Sequence, residues 1–248
     1  MVAVGDRGQR VAVGDRGERV AVGDGGERVA VGDRGERVAV GDSTRDRLIR
    51  TAERLLAEHG IDGVSLREIT RESGARNVRA IQYHFTDRGG LIRAVLGRHT
   101  ADVDVARGEL LDRWEADDRD GLRGLAGALV RPWAAKLTDA DGGAEFLQIY
   151  ADALTRPDPL LDLARIGEPG TSLHRWRTLI EPLLDADAVR LHRRFMAILH
   201  TITELARRAR AEREGDHRLF VSSLVDNVTA ILAAPPSDET RSLLRRPR

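Results

Sequence analysis

The sequence contains no cysteine, and this absence excludes both a disulfide framework and a thiolate metal site. Aromatic residues make up only 4% of the 248 residues, so a core must be built mainly from Leu, Val, Ile and Ala. No apolar run approaches the roughly 20 residues that a membrane helix needs, and the N-terminus lacks the apolar segment of a secretory signal. We therefore expect a soluble, cytoplasmic protein with no membrane partner.

Residues 1–42 consist of four near-identical copies of a nine-residue unit, VAVGDRGER in its commonest form, and a fifth copy that stops at Asp42. A calcium-binding repeat would concentrate acidic residues, whereas the acidic residues of each copy are accompanied by arginine. A β-solenoid needs a continuous buried stripe, which two valines in nine residues do not supply. We expect a low-complexity, disordered or weakly ordered leader. A small β structure and a partner-binding tail are the alternatives.

Charge is unevenly distributed, although the formal net charge of the chain is zero. Residues 1–42 carry 7 Arg against 8 acidic residues, and residues 101–248 carry 22 basic against 25 acidic residues. Residues 43–100 carry 11 Arg against 7 acidic residues and are net +4. The middle segment is therefore basic, which is a weak indication of a polyanionic partner.

This basic segment has the spacing of a short helical domain. Apolar residues recur at helical spacing over residues 44–59, and Ser65 with Glu68 fits a capping box that opens a short helix. A second short helix, capped by Asn77, covers residues 78–84, and a long helix follows it. Two short helices around a glycine turn are the layout of a helix-turn-helix, whose second helix enters the DNA major groove.

Helical spacing in the second short helix predicts which of its residues contact DNA bases. Ile81 and Phe85 face inward, which leaves Val78, Arg79 and Gln82 facing out toward base edges. Glutamine pairs with adenine, arginine with guanine, and valine contacts a thymine methyl group. The other predicted DNA contacts are polar residues in and around this motif: Arg45, Ser65, Arg67, Arg76, Asn77, Tyr83, His84 and Arg88. Solvated charges and core aromatics are the alternative interpretation of these side chains.

Residues 44–96 resemble the DNA-binding domain of the TetR (tetracycline repressor-like) family. The shared features are AEHG at residues 57–60, VSLREI at 64–69 and YHF at 83–85. The resemblance implies a homodimeric transcriptional regulator, usually a repressor, that binds an operator in double-stranded DNA and is released by a small-molecule effector.

Three departures from the family pattern bear on that expectation. One extra residue precedes the second short helix, so the outward positions are open to a shift by one, and Gln82 stands where tyrosine is common. Gly89 and Gly90 replace helix formers, so we expect the start of the long helix to fray or to begin later. The alternative function is a helical ligand-binding or interaction protein whose helix-turn-helix no longer binds DNA.

The rest of the chain predicts further helices and no strands. Their expected positions are about 101–116, 121–138, 143–155, 171–184, 187–213 and 217–234. The fold class is therefore all-α, with an N-terminal three-helix domain that contains the helix-turn-helix, over residues 43–100. A C-terminal helical effector-binding and dimerisation domain follows over residues 101–234, and a tail over residues 235–248.

Two predicted helices near the C-terminus carry apolar residues at heptad-like spacing. These residues are Leu191, Phe195, Ile198, Ile202, Leu205, Leu224, Val228 and Ile231. By the family resemblance, they form a four-helix dimer interface between two copies. The alternative is that this seam packs only against its own chain.

An effector pocket is expected between the helices from about residue 101 to residue 200. The large side chains assigned to it are Trp114, Trp133, Phe146, Tyr150 and Trp176. Core packing is the alternative for each of them. Because the set is mostly apolar, it favours an apolar ligand of unknown identity.

Enzyme motifs are missing from the sequence: it contains no nucleophile elbow, no phosphate-binding loop and no dinucleotide-binding fingerprint. His99 and Asp102 have the spacing of two metal ligands on a helix, but no third ligand accompanies them. We therefore expect no catalysis, no metal and no cofactor.

Overall fold

The structure is a computed structural model of the 248-residue chain. It describes residues 20–22, 28–30, 43–75, 77–117, 120–156, 160–161, 168–211 and 216–245. The chain divides into two compact units, Met1–Ser43 and Thr44–Arg248, which are described separately.

The first unit holds the nine-residue repeat. Its described residues form two short strands, β1 at Val20–Val22 and β2 at Arg28–Ala30. The strands pair antiparallel, with Val20 opposite Ala30. This pair corresponds to the small β structure that was the alternative interpretation of the repeat. The expected disorder concerns residues that lie outside the described part of the chain.

The second unit is helical throughout its described residues, so the predicted all-α class is confirmed. Its helices are α1 (Thr44–His59), α2 (Leu66–Glu72), α3 (Arg79–Phe85), α4 (Arg88–Ala116), α5 (Gly121–Ala134), α6 (Gly143–Thr155), α7 (Ser172–Ile180), α8 (Ala186–Arg190), α9 (Arg193–Arg210), α10 (Arg218–Ala233) and α11 (Asp238–Leu244). Short 3-10 turns follow α5 and α7, at Ala135–Thr138 and Glu181–Leu183.

Three element boundaries differ from the sequence-based expectation. Helix α4 is continuous through the position, after residue 100, where a domain boundary was expected. The helix expected over 187–213 is divided into α8 and α9, because His192 takes the left-handed backbone conformation with φ 57°. The expected tail contains α11, whose first turn is capped by Ser237, since its side chain accepts a hydrogen bond from the Thr240 N–H.

The start of α4 is regular despite Gly89 and Gly90, and the expected fraying there stays a prediction. Helix α4 begins at Arg88, and the Asp87 side chain caps it by accepting a hydrogen bond from the Gly90 N–H at 2.6 Å. The preceding Thr86 has φ 69° and ψ −56°, the geometry of a tight three-residue turn. A Cβ at Gly90 would lie 1.8 Å from the Phe85 carbonyl oxygen, so this turn requires glycine there.

The core lies where the long helices meet. Helix α9 packs against α6 and α10, α5 packs against α4 and α10, and α1 packs against α4 and α6. The largest fully buried side chains are Trp176 and Phe146, and the Trp176 indole N–H donates to the Leu125 carbonyl oxygen at 2.8 Å. No single helix in the described residues is long and apolar enough to cross a membrane, although α10 and α11 pass that test together as a pair bent by 54°.

Candidate nucleic-acid interface

Local hydrogen bonds and a glycine define the start of α2, its end and the start of α3. The Glu68 N–H donates to the Ser65 hydroxyl at 3.1 Å and the Ser65 N–H to the Glu68 carboxylate at 3.5 Å, which confirms the capping box. Gly74 ends α2 with φ +70°. The Asn77 side chain accepts a hydrogen bond from the Arg79 N–H at 2.9 Å, and Val78 is already helical, so Asn77 is the effective cap of α3.

The inner face of α3 holds it against the rest of the domain. Ile81 is fully buried and Phe85 is buried, as the sequence predicted. The Arg45 guanidinium lies 5.4 Å from the Phe85 ring centroid, so the start of α1 contacts the end of α3. Helix α3 therefore has one fixed orientation on α1 and α4.

The outer face of α3 presents polar side chains to solvent. Arg79 and Gln82 are exposed, and Tyr83 is 86% exposed. Val78 and His84 are half-buried, and the His84 ring packs edge-on against Tyr83 with a centroid distance of 5.0 Å. A tyrosine this exposed contributes little to the core, so most of its ring remains open to a partner outside the chain.

The other predicted DNA contacts surround this face to different degrees. Arg45, Arg67 and Asn77 are exposed, and Arg67 lies on the first turn of α2. The Ser65 hydroxyl is engaged in the helix cap. Arg76 lies outside the described residues.

The structure corrects the assignment of Arg88 to a DNA phosphate. Its side chain is half-buried, and its two terminal nitrogens donate to the carbonyl oxygens of Val64 and Ile61. These bonds tie the start of α4 to the loop between α1 and α2. Arg88 is therefore a cross-link inside the domain, because both of its terminal nitrogens donate to backbone oxygens of that loop.

Comparison with known proteins identifies this domain. Residues 48–95 match the family model described as bacterial regulatory proteins, tetR family. The chain carries a TetR-family DNA-binding domain. The protein is accordingly a DNA-binding transcriptional regulator, as the resemblance implied.

Solved structures resemble this chain over most of its length, at low sequence identity. A tetR family transcription regulator from Shewanella sp. PV-4 is 18% identical, with 76% of this chain and 96% of that chain covered and a TM-score of 0.50. The HlyIIR mutant protein is 15% identical, covering 80% and 100%, with a TM-score of 0.49. The multidrug binding protein EbrR complexed with imidazole is 19% identical, covering 78% and 92%, with a TM-score of 0.44. No curated protein matches the chain.

A buried ionic cluster attaches the TetR-type domain to the rest of the unit. We call it the Glu53 cluster; its members are Glu53, Arg98, His99, Lys136 and Asp139. The buried Glu53 carboxylate of α1 lies 2.7 Å from His99 Nε2 and accepts a hydrogen bond from Arg98 at 2.6 Å. Both partners are on α4, so α1 and α4 are held together by charge as well as by apolar packing.

The cluster extends toward the turn before α6. Lys136 donates to Asp139 at 2.8 Å and to Asp102 at 2.9 Å. The hydrogen bond from Lys136, together with one from the Asp141 N–H, lowers the pKa of the Asp139 carboxyl. His99 and Asp102 therefore have ionic partners within the chain. Among the described residues, no group of three or more His, Asp or Glu side chains is placed to hold a metal ion.

Two neighbouring cavities lie beyond the Glu53 cluster. One has a volume of about 430 Å³ and opens beside α4, and the other has a volume of about 210 Å³ and opens beside α9. Trp133, Tyr150 and Leu173 line both cavities, so these side chains separate them. Phe195 and Ile198, which the sequence assigned to a dimer interface, line the smaller one.

The predicted pocket assignment is corrected for three of its five residues. Phe146 is fully buried and stacks on Trp133, with ring centroids 5.4 Å apart. Trp176 is a fully buried core residue, and the Trp114 indole N–H donates to the Gly121 carbonyl oxygen at 2.8 Å. None of the three lines either cavity. Only Trp133 and Tyr150 of the predicted set do so.

The predicted dimer seam is also corrected. Ile202, Leu205, Leu224 and Val228 are buried within their own chain, because α9 and α10 turn this face toward α5 and α6. The heptad spacing assigned all eight residues to one interface, but the four buried ones face the core of their own chain. Leu191 and Ile231 remain at an open groove, where they are joined by Met196, Leu199 and Thr203.

Sequence analysis missed two buried charges that shape the site. Glu53 stands between Ile49 and Leu56 on the apolar face of α1. Arg107 stands between Val103 and Leu111 at i, i+4 spacing on α4. A charged residue within an apolar stripe was the available signal, because such a residue is buried only with a partner or for a function.

Proposed function

We propose that this regulator is a repressor that binds its operator as a homodimer and is released by a small ligand. The observation that carries the proposal is the outer face of α3, where Arg79, Gln82 and Tyr83 are exposed on a firmly held helix. Arginine and glutamine side chains on such a helix match base edges in the major groove. DNA is found in the cytoplasm of bacteria, and we place the protein there.

An apolar groove on α9 and α10 supports the homodimer. The groove has a volume of about 670 Å³, and its lining includes Leu191, Met196, Leu199 and Ile231. Met196 is 50% exposed, which is unusual for a large apolar side chain on a long helix. A second copy packed on this groove would cover it. A dimer would supply the two recognition helices that operator half-sites one DNA turn apart, roughly 34 Å, require.

Met196→Glu is expected to convert the dimer to a monomer, because it places a charge in an apolar interface. Val105→Glu is the matched control, since Val105 is an apolar residue 64% exposed on α4. Sedimentation velocity at micromolar concentration measures the change. If Met196→Glu sediments as a dimer, as the unaltered protein is expected to, this interface is ruled out.

Helix α4 is the element that connects a ligand to the DNA-binding domain. Its first residue, Arg88, bonds the loop between α1 and α2, and its middle residues Leu96 and Val103 line the larger cavity. A ligand that shifts α4 would therefore move the recognition helix of the same protomer and change its distance from the other recognition helix of a dimer. A coupling free energy of about 1–3 kcal/mol is enough to change operator affinity 5- to 150-fold.

The test is a gel-shift assay with the DNA upstream of the protein's own gene. A specific complex that competes against scrambled DNA supports the proposal. If no specific complex forms, the alternative of a helical ligand-binding protein with a degenerate helix-turn-helix is favoured. The glycines at 89 and 90 no longer support that alternative, because α4 begins at Arg88 with a regular cap.

A further inference from the structure

The larger cavity has a mostly apolar wall. Leu96, Val103, Trp133, Leu161 and Leu173 all line it, and its volume of about 430 Å³ is within the range of about 300–1,000 Å³ that is typical of small-molecule sites. Such a wall fits the hydrocarbon part of a ligand. It does not explain the buried arginine that lines the same cavity.

That charged residue is Arg107 of α4, which is only 3% exposed. Its Nη1 donates to the Ser172 hydroxyl at 3.1 Å, and its buried Nε–H has no hydrogen-bond partner among the described residues. A buried, unpaired donor on a cation costs free energy that most interiors avoid. Arg107 is therefore incompletely satisfied by its own chain.

The nearest carboxylate does not complete the pairing. Asp104 lies 4.0 Å from Arg107 Nη1, beyond hydrogen-bond distance. The Asp104 oxygen that faces Arg107 instead accepts hydrogen bonds from the Ser172 N–H at 2.9 Å and the Ser172 hydroxyl at 2.6 Å. Ser172 thus stands between the two charges, and the Nε side of the guanidinium is left without an anion.

The protonation states around the cavity favour an anionic ligand near neutral pH. Burial lowers the pKa of Arg107 to about 10, so the guanidinium remains cationic. Burial raises the pKa of Tyr150 to about 12, so its phenol remains neutral. Arg93 and Asp104 also line the cavity, and their charges offset each other, so Arg107 leaves the lining with a net positive charge.

We propose that this cavity binds an apolar ligand that carries a carboxylate, and that the carboxylate pairs with Arg107 while the hydrocarbon part lies against Trp133 and Leu173. A carboxylate supplies the acceptor that the Nε–H lacks, and it balances a charge that the chain leaves buried. This inference rests on the proposed function, because we take this ligand to be the one that releases the protein from its operator.

Isothermal titration calorimetry on the full chain tests the ligand class with three probes that share one alkyl chain: decanoate, decanol and decylamine. Decanoate is expected to bind most tightly, and decylamine is expected to bind least tightly because of repulsion from Arg107. The proposal is overturned if decanoate binds no more tightly than decanol, or if none of the three probes binds.

Two variants test whether Arg107 is the reason. Arg107→Met removes the guanidinium and keeps a long, unbranched apolar side chain. It is expected to weaken decanoate binding roughly 10- to 100-fold, because the charge-assisted pair is lost. Its affinity for decanol should stay within about twofold of that of the unaltered protein. Asp104→Asn removes the competing negative charge and is expected to tighten decanoate binding. Equal weakening for decanoate and decanol in Arg107→Met would contradict the proposal.

Thermal unfolding separates a site role from a structural one. Arg107→Met is expected to unfold at the same temperature as the unaltered protein or at a higher one, since replacing a poorly paired buried charge by an apolar group is often neutral or stabilising. If this variant does not fold, Asp104→Asn alone decides: unchanged or weaker decanoate binding overturns the proposal.

The ligand class and the proposed function fail in different experiments. If decanoate binds through Arg107 and the protein forms no operator complex, the site is supported and the repressor function is wrong. If decanol and decanoate bind the protein equally and release operator DNA equally, the function is supported and the role of Arg107 is wrong.

Discussion

Replacing Glu53 by alanine is expected to lower the free energy of unfolding by about 3–5 kcal/mol. The Glu53 carboxylate is buried, accepts a hydrogen bond from Arg98 and lies against the His99 imidazole. Without it, the buried His99 imidazole loses this hydrogen-bond partner, and Arg98 keeps its pairing with Asp141. Removing one member of a buried ionic group costs more than removing a surface pair, because the remaining charge is left desolvated.

Glu58→Ala is the matched control for this prediction. Glu58 is on the same helix and pairs with Arg54 one turn earlier, but both side chains are about half exposed. Its loss is expected to cost about 0.5 kcal/mol or less. Urea unfolding followed by circular dichroism measures both variants.

A Glu53→Ala variant within about 1 kcal/mol of the unaltered protein would show that the Glu53 cluster does not stabilise the junction. The free energy of unfolding of Glu53→Gln is expected to lie between those of Glu53→Ala and the unaltered protein, because the amide keeps an acceptor oxygen but loses the negative charge. The order of the unaltered protein, Glu53→Gln and Glu53→Ala in free energy of unfolding therefore separates the contribution of charge from that of hydrogen bonding.

Replacing Arg79 and Gln82 together by alanine is expected to weaken specific operator binding at least ~30-fold, because each well-placed pairing with a base contributes about 1–3 kcal/mol. Both side chains are exposed on α3, so the free energy of unfolding should change by less than about 0.5 kcal/mol. Binding to scrambled DNA should fall much less than specific binding, since phosphate contacts supply most of it.

Fluorescence anisotropy with labelled operator and scrambled duplexes measures both affinities. Arg131→Ala is the control, because Arg131 is an exposed arginine on α5 in the other part of the unit. Equal weakening on the operator and on scrambled DNA would place both side chains on phosphates. No change on either DNA would remove α3 from the interface.

The sequence predicted best what depends on neighbouring residues. The capping box of Ser65 and Glu68 and the cap at Asn77 are local patterns, and both form. The inward direction of Ile81 and Phe85 follows from helical spacing alone. The short helices and the family resemblance of this segment were therefore accessible without a structure.

The sequence could not predict what distant residues decide. Arg88 donates to carbonyl oxygens 24 and 27 residues away, and no local pattern shows that its side chain turns inward. Heptad spacing told which residues of α9 share a face, but whether another helix covers that face depends on α5 and α6. The glycine at position 90 looked like a helix breaker until the turn at Thr86 explained it.

The most direct test of the account is a salt titration of binding to the upstream DNA of the protein's own gene. A protein that reads DNA through α3 and holds it by phosphate contacts should form a specific complex whose affinity falls by about 10³–10⁵ between 50 and 200 mM salt if it makes about 6–10 such contacts. Scrambled DNA should bind far more weakly at every salt concentration. Equal affinity for upstream and scrambled DNA, or no complex even at the lowest salt concentration, would contradict the account.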